Sequence, residues 1–455
     1  MRVRLSISAL GFVSLLFASA CSTTEETPGD TGAGTDGRAP DGATSDSAAP
    51  DGSASDSATP DGSAPDTGAT TDSSAPPDGG DAGPDGGPTD GATPPFDAGT
   101  CTAPTLADAL IVSSLPGTST RGRAYGAPTA TNGAVVAFPA ADGVHLLTLA
   151  ADGTPIGSAV VIPGLRPYGL AVGGGTTGVL VSRGTDALYL VGIDGTGATV
   201  IEERLLGEVD HDVEGNEWFG NVARDARLAW TGTQWAVYHT VDVNMSRPIG
   251  VSIDRLRYLD ADGTPDRYEW PVLGCSVSFE VRVTYDSAGL GSLCASNCYP
   301  SKGVHFNYRE AALYTDDRVA CSERTTTHLG GIATIGSGFL AAFTAGDGRS
   351  SEDVAIVRID GGTAGTVSFL TADAEDDTSP NMASFGAGAV VGWVSAGANH
   401  LLRVDAAGSP VGSDEVVAAA DLANAGDFFR FANGDAGWAI SADGSLALAR
   451  LRDCE

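Results

Sequence analysis

Beyond Cys101 the chain alternates short apolar runs with clusters of Gly, Asp, Thr and Pro, and the runs recur. One element reads "GAVVAF" from 133, "GVLVSR" from 178, "WAVYHT" from 235 and "GSLCAS" from 291, then "FLAAFT" from 339, "AVVGWV" from 389 and "GWAIS" from 437. Successive copies start 45 to 57 residues apart. A second element follows each after a short turn, as in "VHLLTLAADGTPIG", "LYLVGIDGTGATV" and "HLLRVDAAGSPVG". In most copies it alternates apolar and polar positions, the two-residue period of a half-buried strand, and its "DGT"-like turn leads into another strand. A 3.6-residue period is almost absent.

Seven copies of this length, each holding about four short strands, predict an all-β chain folded as a seven-bladed β-propeller. Six or eight blades, or tandem β-sandwiches, are the alternatives. The repeat resembles the propeller domains of exported bacterial lipoproteins over essentially all of residues 102 to 455, and it lacks the GH and WD signatures of WD40 blades. The seventh copy ends after its second and third strands, "GWAIS" and "LALARLR". Propellers of this kind borrow a missing strand from the other terminus, and "ADALIVSSL" (107 to 115) fits that place. A borrowed strand runs antiparallel to the third, so its start lies beside the third strand's end. Cys101 precedes the one and Cys454 follows the other, so the two are expected to be bonded.

The chain holds seven cysteines. With Cys21 set aside, an even six behind an export signal reads as three disulfides. In the fourth copy, antiparallel order brings Cys275, Cys294, Cys298 and Cys321 to one end of the blade. Cys275–Cys294 with Cys298–Cys321 is the preferred pairing; Cys294–Cys298 with Cys275–Cys321 is the alternative. Zinc is the lesser reading, because no CxxC pair recurs.

At the N-terminus Arg2 and Arg4 precede the apolar stretch Leu5 to Phe17, which is too short to span a bilayer, and Ala18-Ser19-Ala20 leads into Cys21. This resembles a lipoprotein signal peptide, 1–20. The likeness implies acylation of Cys21, stable membrane anchoring by two or more chains and, with Ser22 in place of a retention aspartate, the outer membrane of the cell envelope. The "ASA" box departs from the Leu the family prefers. Residues 21–100 are almost entirely Asp, Gly, Ala, Ser, Thr and Pro with a single aromatic, Phe96, and cannot bury enough apolar area to offset ordering, so they read as a disordered tether. The propeller is expected over 101–455.

Net charge is −33, of which residues 22 to 100 carry −15. Nucleic acid is a poor partner for such a chain. No GxSxG, HExxH or phosphate-cradling loop is present. The richest candidate is "GEVDHDVEGNEWFGN" in the third copy, where Asp210, His211, Asp212, Glu214 and Glu217 adjoin Trp218. Such a stretch would suit a sugar, or Ca²⁺ through its oxygens; the plainer reading is a solvated acidic loop. Asp260, Asp262 and Asp266 in "DADGTPD" are a lesser Ca²⁺ candidate, and a hairpin turn is the reading preferred there. Trp235, Trp393 and Trp438 share one register of the repeat and read as core. Trp218, Trp230 and Trp270 fall outside it and read as stacking surfaces. No cofactor is implied beyond that Ca²⁺. The functional expectation is a monomeric, lipid-anchored propeller that binds a protein or glycan without catalysis. A glycan hydrolase or lyase with two carboxylates facing each other across the channel is the alternative.

Overall fold

The structure is a computed structural model. It describes residues 103–454 apart from 104, 121, 185–186, 207–208, 212–216, 222–223, 244–250, 269–274, 276–278, 299, 308–310, 317–325, 347 and 443. The expected signal peptide and tether, with Cys21, Cys101 and Cys321, lie outside the described residues.

Seven antiparallel sheets follow one another along the chain. Blade 1 is Tyr125–Pro128, Ala134–Ala140, Gly143–Leu149 and Val160–Ile162. Blades 2 to 6 open on inner strands Arg166–Gly173, Ala226–Trp230, Val281–Asp286, Leu329–Ile335 and Asp377–Phe385. Blade 7 has a short inner strand, Phe429–Arg430, then Ala436–Ala442 and Ser445–Leu451. Its outer strand is Leu110–Ser114, which pairs antiparallel with Ser445–Leu451, from Leu110 opposite Leu451 to Ser114 opposite Ala447. The protein is a seven-bladed β-propeller closed by an N-terminal strand, as the repeat predicts.

The first recurring element forms the second strand of each blade, and it is buried because blades stack on both its faces. Ala134–Ala140 and Gly338–Ala345 are buried almost throughout. Among the described residues the apolar side chains divide into seven clusters, one between each pair of neighbouring blades. Trp235, Trp393 and Trp438 are 0 to 2% exposed within them. The smallest cluster among the described residues joins blades 3 and 4 and contains Cys275 and Cys294, bonded to each other. That is one of the two bonds of the preferred pairing; the other, Cys298–Cys321, involves a residue outside the described ones.

The "DGT" turns obey one rule. Asp152, Asp194, Asp262 and Asp405 each accept a hydrogen bond from the backbone two residues on. Such carboxylate-to-backbone bonds favour a turn over a continuing strand. Gly153 and Gly263, which directly follow two of these aspartates, have φ +80 and +87, which a side-chain-bearing residue rarely adopts.

Candidate functional site

All inner strands run in one direction, so the ring has a head face, where they begin, and a tail face, where they end. The inner strands line a cavity of about 640 Å³ that runs from Tyr125, Arg227 and Asp427, near the strand beginnings, to Trp230 and Tyr285 at the strand ends. A smaller cavity of about 180 Å³ lies among residues at the strand beginnings, including Arg123, Glu280, Arg282 and His328.

Between the two sits a cluster of four charges from three blades. Arg227 pairs with both Asp225 and Asp427, its Nη2 donating to Asp427 Oδ1 at 3.0 Å. Arg282 Nη1 donates to Asp225 Oδ2 at 3.3 Å, and its Nε lies 3.8 Å from Asp427 Oδ1. The guanidiniums also reach backbone carbonyls of blades 2 and 5: Arg227 to Tyr168 O at 3.3 Å, Arg282 to Leu329 O at 2.7 Å. Tyr125 of blade 1 presents its ring to Arg227 at 5.2 Å. Burial pushes the Asp427 carboxyl up, but Arg227 and Arg282 prevail and hold it below the ordinary carboxylate range. Burial likewise raises the Tyr125 phenol.

This placement follows from the two-residue period of a strand. In "DARLAW" and "EVRVTY" an acid stands two positions before an arginine, putting Asp225 with Arg227, and Glu280 with Arg282, on one face at the head of an otherwise apolar inner strand. Sequence reasoning passed over all of these residues, and Asp427; the signal was there, as charges opening an apolar run. At the head-face cavity Glu280 accepts from His328 Nδ1 and Leu329 N, both at 2.7 Å. The Glu280 hydrogen bond holds the His328 ring above its ordinary value.

The acidic stretch of the third copy is a hairpin in place of the expected loop. Val209–His211 pairs with Glu217–Asn221, which in turn pairs with the end of Gln234–Val243. Asp210 stands opposite Trp218 and His211 opposite Glu217; Asp212 and Glu214 lie outside the described residues. The alternating sequence V-D-H and the aromatic pair Trp218-Phe219 suit strand pairing, which is the physical reason this stretch extends blade 3.

Asp260 and Asp266 share one donor, the Gln234 amide, at 2.9 and 3.0 Å, while Asp262 closes its turn. The three therefore serve a hairpin like those of the other blades. Trp230 is half-buried, lies 4.7 Å from Trp235 and borders the 640 Å³ cavity; Trp270 lies outside the described residues. His239 is buried. Among the described residues one group of three potential metal ligands occurs, Asp254, Cys275 and Cys294, and its sulfurs are already bonded to each other.

No protein-family model matches the chain, and no curated protein matches it. Solved structures match in outline. A prolyl endopeptidase is 13% identical with a TM-score of 0.43, over 76% of this chain and 47% of that one, so the chain spans about half its length. YCF48 bound to a D1 peptide is 10% identical with a TM-score of 0.42, over 76% and 96%. The Cps50 (Swd1) β-propeller domain of Myceliophteria thermophila is 11% identical with a TM-score of 0.42, over 74% and 99%. At such distances the likeness is one of fold alone.

Proposed function

We infer that this chain is a lipid-anchored protein of the cell envelope whose propeller binds a protein or glycan partner without transforming it. The observation that carries the reading is the charge cluster at the ring's centre. A glycosidase needs one carboxyl protonated and another ionised, flanking the bond it cleaves. Asp225 and Asp427, two acids held together at the axis, instead share Arg227 and Arg282. Asp427 is held ionised by those arginines, which suits a strut and disqualifies it as a proton donor. Anchoring rests on Cys21 and its preceding apolar segment, and the acidic tether supplies reach. The hairpin bearing Asp210, His211, Glu217 and Trp218 remains a proposed contact surface, with Ca²⁺ at Asp260, Asp262 and Asp266 a lesser proposal.

The test pairs two measurements on the full chain purified from membranes. Mass spectrometry of the N-terminal peptide is expected to find acyl chains on Cys21. Incubation with a glycan panel is expected to retain ligands and release no new reducing or unsaturated ends. Turnover of any glycan would establish the hydrolase or lyase alternative instead.

A further inference from the structure

We propose that the 640 Å³ cavity is a receptor for the end of a neutral carbohydrate, entered from the tail face only; this rests on the binding-module reading and names its ligand. The cavity falls within the roughly 300–1,000 Å³ range of small-ligand sites. It is blind. Arg227 and Asp427 form its floor, and behind them Arg282 and Arg123 belong to the separate head-face cavity.

The floor offers an ionic ligand nothing. Both sides of the Arg227 guanidinium are committed, to Asp427 and Asp225, and its remaining reach goes to the carbonyls of Tyr168 and Ala226. The chain's net charge of −33 disfavours anions further.

The walls offer hydrogen bonds of a particular kind. Each inner strand pairs with the second strand of its own blade alone among the described residues, so its other edge turns toward the axis. An unpaired strand edge is a row of N–H donors and C=O acceptors. The side chains bordering the cavity there include the small Ala171, Ala229 and Ala383, whereas Gly126 and Gly169 are packed against Phe429 and the Arg227–Leu228 backbone. Donors and acceptors thus alternate around the bore with no formal charge, the pattern that sugar hydroxyls match.

The rim adds flat apolar surfaces. Trp230, Tyr285 and Phe429 border the cavity from blades 3, 4 and 7, and Tyr285 is 42% exposed. Aromatic faces take the C–H face of a pyranose while hydroxyls at the ring's edge pair elsewhere. Asp286 and Arg430, both exposed, stand at the same rim to accept from and donate to those hydroxyls. An extended peptide would need one long, straight edge to itself, whereas seven edges converge here.

The test is isothermal titration calorimetry of the full chain with cellotriose, maltotriose and chitotriose, a tri-uronate, and a capped hexapeptide. Binding of at least one neutral trisaccharide is expected, with neither the uronate nor the peptide bound. Tyr285→Ala, at an exposed position that leaves the fold intact, is expected to weaken binding about two- to tenfold. Thr284→Trp, at a half-buried wall position, narrows the bore and is expected to abolish binding. Three results would overturn the inference: no neutral sugar bound, the uronate or peptide bound in its stead, or sugar affinity unmoved by both substitutions. None of these touches the binding-module reading, which fails separately if the chain degrades a glycan.

Discussion

At the scale of single residues, the charge cluster on the axis is the feature with the largest consequences. Arg227 is buried between two carboxylates, so truncating it leaves Asp225 and Asp427 close together with one guanidinium, Arg282, to balance them. Breaking a buried pair from one side costs about 3–5 kcal/mol. Arg227→Met is expected to lose that much in urea unfolding, and a loss below about 1 kcal/mol would show the cluster to be incidental. The pair at the head face behaves differently because it titrates. His328 is raised by Glu280 above 6.5, so its contribution is whole below 6.5 and fades as pH climbs through the raised value. Burial pushes Glu280 up, yet His328 and Arg282 hold it below 4.5, so its contribution is whole above 4.5 and fades as pH falls. The melting-temperature gap between the parent and Glu280→Gln is therefore expected to be widest between pH 4.5 and 6.5 and to narrow on both sides. A gap constant from pH 4 to 8 would contradict that. These residues were the hardest to foresee. Periodicity shows which positions are buried, whereas Asp427 meets Arg227 only because the ring brings blade 7 across from blade 3.

Elements were more legible. The second strands announced themselves as continuous apolar runs because each is covered on both sides, and the turns did so because Asp and Gly answer a local backbone demand. The hairpin Val209–His211/Glu217–Asn221 was missed: its acids suggested solvent, and three-residue alternation is too short to outweigh composition. Strand order brought four cysteines together and left two pairings open, of which Cys275–Cys294 belongs to the preferred one; the bond reinforces the blade 3–blade 4 contact where the apolar cluster is smallest. Its two half-cystines are 19 residues apart, so the chain-entropy model gives about 3 kcal/mol for the link. The Cys275→Ala/Cys294→Ala double variant should lose close to that in equilibrium unfolding, with blade 4 opening first in amide hydrogen exchange. Protection unchanged in Val281–Asp286 would show that packing alone holds this junction.

On the scale of the whole molecule, the closing strand makes the ring. Leu110–Ser114 completes blade 7, Glu415 of blade 6 accepts from Leu106 N and Ala107 N at 2.9 and 3.0 Å, and Arg450 joins blade 7 to the Asn132 and Ala151 carbonyls of blade 1. Cys454 is disulfide-bonded to a partner outside the described residues. Peptide mapping without reduction is expected to recover a Cys101–Cys454 link, closing a loop of roughly 350 residues worth about 6 kcal/mol in the entropy model; recovery of Cys101 as a free thiol would rule the link out. The pairing of Leu110 with Leu451 has a further consequence for how such a chain matures. The strand synthesised first waits for the one synthesised last, so no blade order lets the circle finish early. Until Leu451 arrives the folding chain is open with two sticky margins, and factors that shield those margins would govern its yield more than any property of the finished disk.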